Sequence, residues 1–327
     1  MSAEELVDLN SKHPQLGVEK KNLTRIKSVF LILKSFTIII VILAILVAII
    51  SAYTDEILVH PVRMPITTNP RNYGLRYQNV SFLSRVDHTH LRGWFIPALF
   101  HSNRTVIFAH GHAANRMQMM SMFSPFVRDG YNIFTFDFRD SGESDGTIDT
   151  VGYLEQWDLE GAFDYVRIRP QNQGRHIGFL GFSMGAAVSI LVAANEPSVE
   201  GVVADSSFAD LQQYLEANLS KYSHLPSFPF TPVMEWLSVP LTGLDPAKVQ
   251  PIKSIARIAP RPLLLIHGEA DMQVSPDNSK QLFAAAHNPN AQLWMVPNAD
   301  HVQSYKTEPA AYLKHLLTFF GKSLASK

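Results

Sequence analysis

Cysteine is absent from the chain. That excludes disulfides, cysteine-ligated metals and thiol catalysis, and it leaves the redox character of the compartment open. A charge excess is lacking too: 28 basic residues stand against 29 acidic ones. Nothing in that balance recruits a nucleic acid, which is held through basic patches. No internal repeat and no low-complexity tract interrupts the 327 residues. The length fits one large domain plus an additional segment.

What is present is unevenly spread. Residues 36–52 read FTIIIVILAILVAIISA, seventeen positions without a charge. As a helix this run spans roughly 26 Å, close to a hydrocarbon core of about 30 Å. VFLIL lies upstream, separated by Lys34, which can snorkel, and Ser35. Lys20, Lys21, Arg25 and Lys27 also precede the run, whereas Asp55 and Glu56 follow it. The positive-inside rule then places the N-terminus in the cytoplasm and the remainder outside. The resulting expectation is a single-pass protein of the cell membrane, in contact with the lipid bilayer. It has a cytoplasmic tail at 1–27, a transmembrane helix at 28–52 and an extended connector at 53–76. A cleaved signal peptide is the competing reading. The length of the run, its late start and the poor cleavage site IISA weigh against it. A core helix fits less well, because the run is apolar on every face.

Beyond the connector, short apolar runs alternate with helix-like stretches. Strands are expected at 77–84, 91–98, 105–110, 131–138, 176–182, 201–206, 262–268 and 291–297, and helices around 114–129, 150–168, 184–195, 276–286 and 308–323. The first two strands read as a hairpin. The rest call for a mostly parallel sheet with helices on both faces, over a domain at 77–325. About 209–250 breaks the alternation with a stretch rich in proline and aromatics. It is read as a small helical insertion over the C-terminal edge of the sheet, where ligands bind in such folds. Phe228, Phe230 and Trp236 are candidate walls of an apolar substrate pocket there; plain packing of the insertion onto the domain is the alternative.

HIGFLGFSMGAAVSI carries the chemistry. A buried strand turns at once into a helix, with Ser183 at the corner and Gly181 and Gly185 two residues to either side. A nucleophile elbow has this form: the corner residue is strained, its side chain stands clear, and its neighbours approach too closely for a Cβ. Two further residues follow later strands. Asp271 comes after PLLLIHG and His301 after AQLWMVP, which gives the chain order Ser, Asp, His. Asp205, after GVVA, competes as the acid. The oxyanion donors are assigned to the backbone N–H groups of Met184 and His112. His110 and His112 as a metal pair is the alternative, but no further ligand cluster accompanies them. No metal and no cofactor are expected. Asp137 and Arg139 read as braces of a loop near the site.

HGHAANR, FDFRDSGESDG, GFSMGAA, HGEAD and NADH, in this order and spacing, resemble the α/β-hydrolase superfamily over residues 75–325. The nearest likeness is its bacterial dienelactone-hydrolase and prolyl-oligopeptidase-like branch. The resemblance implies the α/β-hydrolase fold and a serine hydrolase acting on a small-molecule ester or acyl substrate. HGHAANR departs from the HGGG form of the oxyanion loop, and Asp140 stands where many relatives carry glycine. Serine at the elbow argues against epoxide hydrolases and dehalogenases, whose elbow residue is aspartate. A carboxylesterase is the reading carried forward. A peptidase, thioesterase, lipase or acyltransferase remains an alternative, as does a non-enzymatic binding protein on the same scaffold.

Overall fold

The computed structural model describes residues 14–169 and 173–325. The chain falls into two compact units, Met1–Ser51 and Ala52–Lys327. Helix α1, Pro14–Val59, runs through the boundary. The tail expected at 1–27 lies outside the described residues as far as residue 13. From Pro14 onward the chain is already helical, so the helix begins ahead of the span expected at 28–52. Pro14 sits in the first turn, where proline is tolerated, and of the residues up to the apolar run only Gly17 works strongly against a helix. Within α1, Lys21–Val59 is long and apolar enough to cross a membrane. Side chains such as Phe30, Ile39 and Ile49 are exposed rather than packed against protein.

The expected connector differs from what forms. Residues 53–59 complete α1 instead of extending, and coil follows before a short 3-10 turn at Pro70–Tyr73. Asp55 explains why the helix is held to its end. Its carboxylate is buried and accepts hydrogen bonds from Ser238 Oγ (2.6 Å) and Thr242 Oγ1 (3.0 Å), both in the insertion. Val59, one turn further on, is fully buried.

The second unit is built on an eight-stranded sheet with spatial order β1-β2-β4-β3-β5-β6-β7-β8. Its strands are β1 Gln78–Leu83, β2 His90–Ile96, β3 Arg104–Ala109, β4 Asn132–Phe136, β5 His176–Phe182, β6 Val199–Asp205, β7 Leu263–Gly268 and β8 Ala291–Val296. The β1–β2 and β2–β4 pairs are antiparallel and the others parallel. The helices that follow are α2 Phe123–Arg128, α3 Glu155–Arg167, α4 Met184–Asn195, α5 Leu211–Ser223, α6 Ser227–Thr242, α7 Pro251–Ser254, α8 Asp277–Ala286, α9 Ser304–Thr307 and α10 Pro309–Ser323.

Strand alternation sorts the side chains into two cores. Ile107, Phe179, Leu263 and Leu265 point to one face, where Leu159 and Phe163 of α3 and Leu282 of α8 cover them. Phe108, Leu180, Leu264 and Ile266 point to the other, covered by Phe123 and Phe126 of α2 and Leu316 and Phe320 of α10. Both faces are therefore buried, which is why the central strands read as continuous apolar runs. A third core joins the insertion to the rest: Leu211, Leu215 and Leu219 of α5 and Met234 of α6 meet Ala187 and Leu191 of α4, together with Val59. Helix α4 is thus covered on all sides, and its residues Met184–Ala194 are all buried.

The helix expected at 114–129 is much shorter, since only Phe123–Arg128 is α-helical. Side chains take the backbone groups that would have started it. The Arg116 N–H donates to Asp137 Oδ1 (2.8 Å) and the Met117 N–H to Asn115 Oδ1 (3.0 Å). Asn and Asp compete with helical hydrogen bonding in this way.

The foot of α1 therefore belongs to the second unit in energy as well as in position. A chain starting at residue 52 is expected to melt as the full chain does. One starting at residue 60 loses the Val59 burial and the Asp55 clamp, and is expected to melt at least about 5 °C lower. Thermal unfolding of the two truncations checks this.

Candidate active site

The corner between β5 and α4 takes the strained form the sequence calls for. Ser183 has φ 53° and ψ −117°, outside the ordinary regions for a residue with a side chain. A methyl group at Gly181 would land on the Gly185 carbonyl, and one at Gly185 on the carbonyls of Ala109 and His110. The two glycines let β5, α4 and the end of β3 close on one another. The Ser183 N–H is satisfied by the Asp205 carbonyl at 2.8 Å.

Ser183, His301 and Asp271 are brought together. Asp271 Oδ2 lies 2.7 Å from His301 Nδ1, and His301 Nε2 lies 2.9 Å from Ser183 Oγ. A carboxylate only accepts, so Nδ1–H donates to Asp271, and Nε2 is left to accept the serine hydroxyl. Asp271 is nearly inaccessible. Burial by itself would raise its carboxyl. Hydrogen bonds from His267 and His301, the charge of His301 and the Val274 N–H outweigh burial and hold it well below the usual carboxylate range. The acid therefore stays ionised beside the imidazole.

His267 is a partner the sequence reading passed over. It is fully buried. Its Nε2 donates to the Val274 carbonyl (2.9 Å) and reaches Asp271 Oδ2 (3.2 Å), while Nδ1 accepts from Ser279 Oγ (2.6 Å). The signal available was a histidine at the buried end of LLLIHG, four residues before the acid. Asp205 does not contact His301 through a hydrogen bond. Its two oxygens are taken by Tyr312 Oη (2.7 Å) and Ser206 Oγ (3.0 Å). Ser206 Oγ in turn accepts the Val302 N–H at 3.2 Å. Asp205 thus anchors the loop that carries His301.

Met184 is the first residue of α4, and its N–H donates to no protein acceptor among the described residues. The same holds for the His112 N–H, in the loop after β3. Gly111, just before it, packs against the corner: its Cβ position lies 3.3 Å from Ser183 Cβ. This loop is fixed by side chains. His110 is buried, accepts the Phe138 N–H on Nε2 (2.9 Å) and donates from Nδ1 to the Gly111 carbonyl (2.7 Å). Burial lowers its pKa to about 4, so it is neutral. With both ring nitrogens engaged, His110 is a bracket of the loop. No cluster of three metal-ligating side chains occurs among the described residues.

The foot of α1 and the coil after it strap this region from outside. His112 Nε2 donates to the Leu58 carbonyl (3.0 Å), Asn115 Nδ2 to the Met64 carbonyl (2.9 Å), and the Asp149 N–H to the Val59 carbonyl (2.8 Å). Arg63 pairs with Asp140 at 2.6 Å. The FDFRDSGESDG loop is braced as expected. Asp137 accepts the N–H groups of Arg116 and Glu143, and Arg139 binds Asp158 and Asp87.

The three aromatics proposed as pocket walls part company. Phe230 packs on the third core. Phe228 and Trp236 are 80% and 77% exposed and form no wall. Helical spacing is the reason: the inner face of α6 is taken by Thr231, Met234 and Ser238, which turns Trp236 outward.

A model of the alpha/beta hydrolase fold matches residues 104–235. The uncharacterized protein YfhR of Salmonella typhi is 30% identical over 267 residues, covering 76% of this chain and 83% of YfhR. The alpha/beta hydrolase domain-containing protein WAV2 of Arabidopsis thaliana is 25% identical, over 86% of this chain and 92% of its own. Among solved structures, the Pyrococcus furiosus esterase Pf2001 superposes with a TM-score of 0.70 at 28% identity, covering 82% of this chain and 99% of the esterase.

Two buried carboxyls lie under the strap. Burial pushes both Asp149 and Glu155 up, to about 7. Glu155 accepts from the N–H groups of Thr150 and Gly152 and from Thr150 Oγ1, which favours its charged form. Asp149 Oδ2 has no hydrogen-bond partner, with His112 Nε2 3.9 Å away, so Asp149 holds its proton more readily than Glu155. Its unfolded value is about 3.9. Below about pH 4 both states hold the proton; as pH rises toward 7 only the unfolded chain releases it, and stability is lost. Asp149→Asn is therefore expected to match the native chain at pH 4 and to melt progressively higher than it up to about pH 7. Melting curves that stay parallel across that range would show the carboxyl to be ordinary.

Proposed function

The chain belongs to the α/β-hydrolase family, and from that premise we propose that it is a membrane-anchored serine hydrolase cleaving carboxylic esters through an acyl-enzyme. The observation that carries the reading is the hydrogen-bonded line Asp271–His301–Ser183 at a strained corner. In the proposed reaction Ser183 Oγ attacks the ester carbonyl carbon as His301 Nε2 takes the hydroxyl proton. Negative charge develops on the carbonyl oxygen, where the Met184 and His112 N–H groups receive it. Each such donor is worth about 3–4 kcal/mol of barrier. The tetrahedral species collapses, the C–O bond to the alcohol breaks, and His301 returns its proton to the leaving oxygen. Water then attacks the acyl-serine with His301 again as base, releasing acid and free Ser183. Asp271 holds the imidazole tautomer and stabilises the imidazolium throughout.

The likeness to the Pyrococcus furiosus esterase supports ester chemistry over other acyl transfers. Short-to-medium acyl esters are the proposed substrates. The exposed apolar length of α1 supports a membrane anchor, and the basic residues before the apolar run support an orientation with the hydrolase domain outside the cytoplasm.

A fluorophosphonate probe is expected to label the native chain and not Ser183→Ala. Equal labelling of the two, or none of either, removes the serine mechanism. With p-nitrophenyl butyrate, Ser183→Ala and His301→Ala are expected to lose nearly all turnover while melting normally. Asp271→Asn is expected to lose about four orders of magnitude through the wrong tautomer. Asp205→Asn, by contrast, acts only through the loop it anchors and keeps more activity than Asp271→Asn.

A further inference from the structure

Helix α6 has two unlike faces. Its inner face, Thr231, Met234 and Ser238, is buried on the domain. Its outward positions are Pro232, Trp236, Val239 and Pro240, all exposed. Leu241 continues this face at one end and Phe228 precedes it at the other, both exposed. Glu235 is the one charged residue in its 16 residues, and it sits to the side, accepting from Gln212 Nε2 at 3.0 Å. A solvent face on a surface helix is ordinarily polar or charged. Here it is apolar along its length, with a tryptophan at its centre.

The position of α6 along the chain's own axis says what covers this face. Asp55 is bonded to Ser238 and Thr242, on the inner side of α6. It is the first charged residue after Lys34 and lies only three residues beyond Ala52, where the apolar run 36–52 ends, about 5 Å of helical rise. The polar layer of a bilayer, between the hydrocarbon edge and water, is about 5–8 Å deep on each side. Along α1, Asp55, the residue to which α6 is bonded, therefore falls at the depth of that layer, where tryptophan is enriched and where amphipathic helices bury an apolar face. A second copy of the chain is a poorer occupant. One helix face offers a few hundred Å², against about 800 Å² per partner in a stable interface.

We infer that the outer face of α6, centred on Trp236, is seated in the surface of the bilayer that α1 enters, and that the Asp55 clamp holds it there. The inference rests on reading α1 as a membrane span and is independent of the catalytic assignment. Its occupant is a lipid surface.

The test uses the full chain in phosphatidylcholine vesicles whose lipids carry a nitroxide high on the acyl chain or near its end. The chain has four tryptophans, so quenching of Trp236 removes about a quarter of the emission. The shallow nitroxide is expected to quench that part in the native chain and not in Trp236→Phe, and the deep nitroxide to do so less. Equal shallow quenching in both forms, in protein that floats with carbonate-washed vesicles, overturns the inference while leaving the anchor intact. Failure to float overturns the anchor and the inference together. Dimers in detergent that Trp236→Glu dissociates, with no difference in quenching, assign the face to a second copy and also overturn it.

Discussion

The approach of three backbones at one corner governs the rest of the second unit. β5 can turn into α4 at Ser183 only because Gly181 and Gly185 present no Cβ to the carbonyls beside them. That contact brings the end of β3 and its Gly111 loop against the serine. It also sets the first amide of α4 beside the Ser183 hydroxyl, at the positive end of the helix. The strained φ of Ser183 is held by burial of α4 on all sides and by the hydrogen bond from its N–H to Asp205. A strained residue persists only where its surroundings over-determine it, and here both the sheet and the insertion do so.

From that corner the polar contacts spread outward in layers. His301 meets Ser183, Asp271 meets His301, and His267 meets Asp271. The loops bearing these residues are joined as well: Asp300 Oδ1 accepts the His301 N–H at 2.7 Å and the Met272 N–H at 3.3 Å. On the opposite side the foot of α1 and the coil after it hold the β3 loop, the Asp137 loop and the insertion at once. A segment that looks like a linker by composition therefore works as a brace.

How much of this was legible in the sequence depended on the range of the interaction. β5 and α4 fall at the expected residues, 176–182 and 184–195, since apolar periodicity and the glycine pair are local signals. Ser183 was selected by the glycine-flanked corner after β5, and Asp271 and His301 by their places after β7 and β8, and the three meet in space. The helix at 114–129 was overestimated, because Asp137 takes one of its amides from 21 residues away. The strap was missed because Asp55 finds Ser238 and Thr242 at separations of 183 and 187 residues, which no local pattern records. Phe228 and Trp236 were placed on the wrong side for a related reason. Aromatic composition announces an apolar surface, but which way it faces is set by Thr231 and Ser238, residues that look unremarkable in the sequence.

Ser238 and Thr242, one turn apart on the inner side of α6, give the insertion its sense of direction. Had the inner face of α6 been simply apolar, rotation of the helix about its axis would have cost little, since both sides would be equally greasy. Ser238 and Thr242 remove that degeneracy. Their hydroxyls bind one buried carboxylate, Asp55, and a charge so placed is strongly unfavourable once its partners turn away. Only one rotation of α6 satisfies Asp55, and in that rotation Trp236 is exposed. The same hydrogen bonds thus fix the insertion over α4, complete the last turns of α1, and choose which face of α6 the rest of the cell meets.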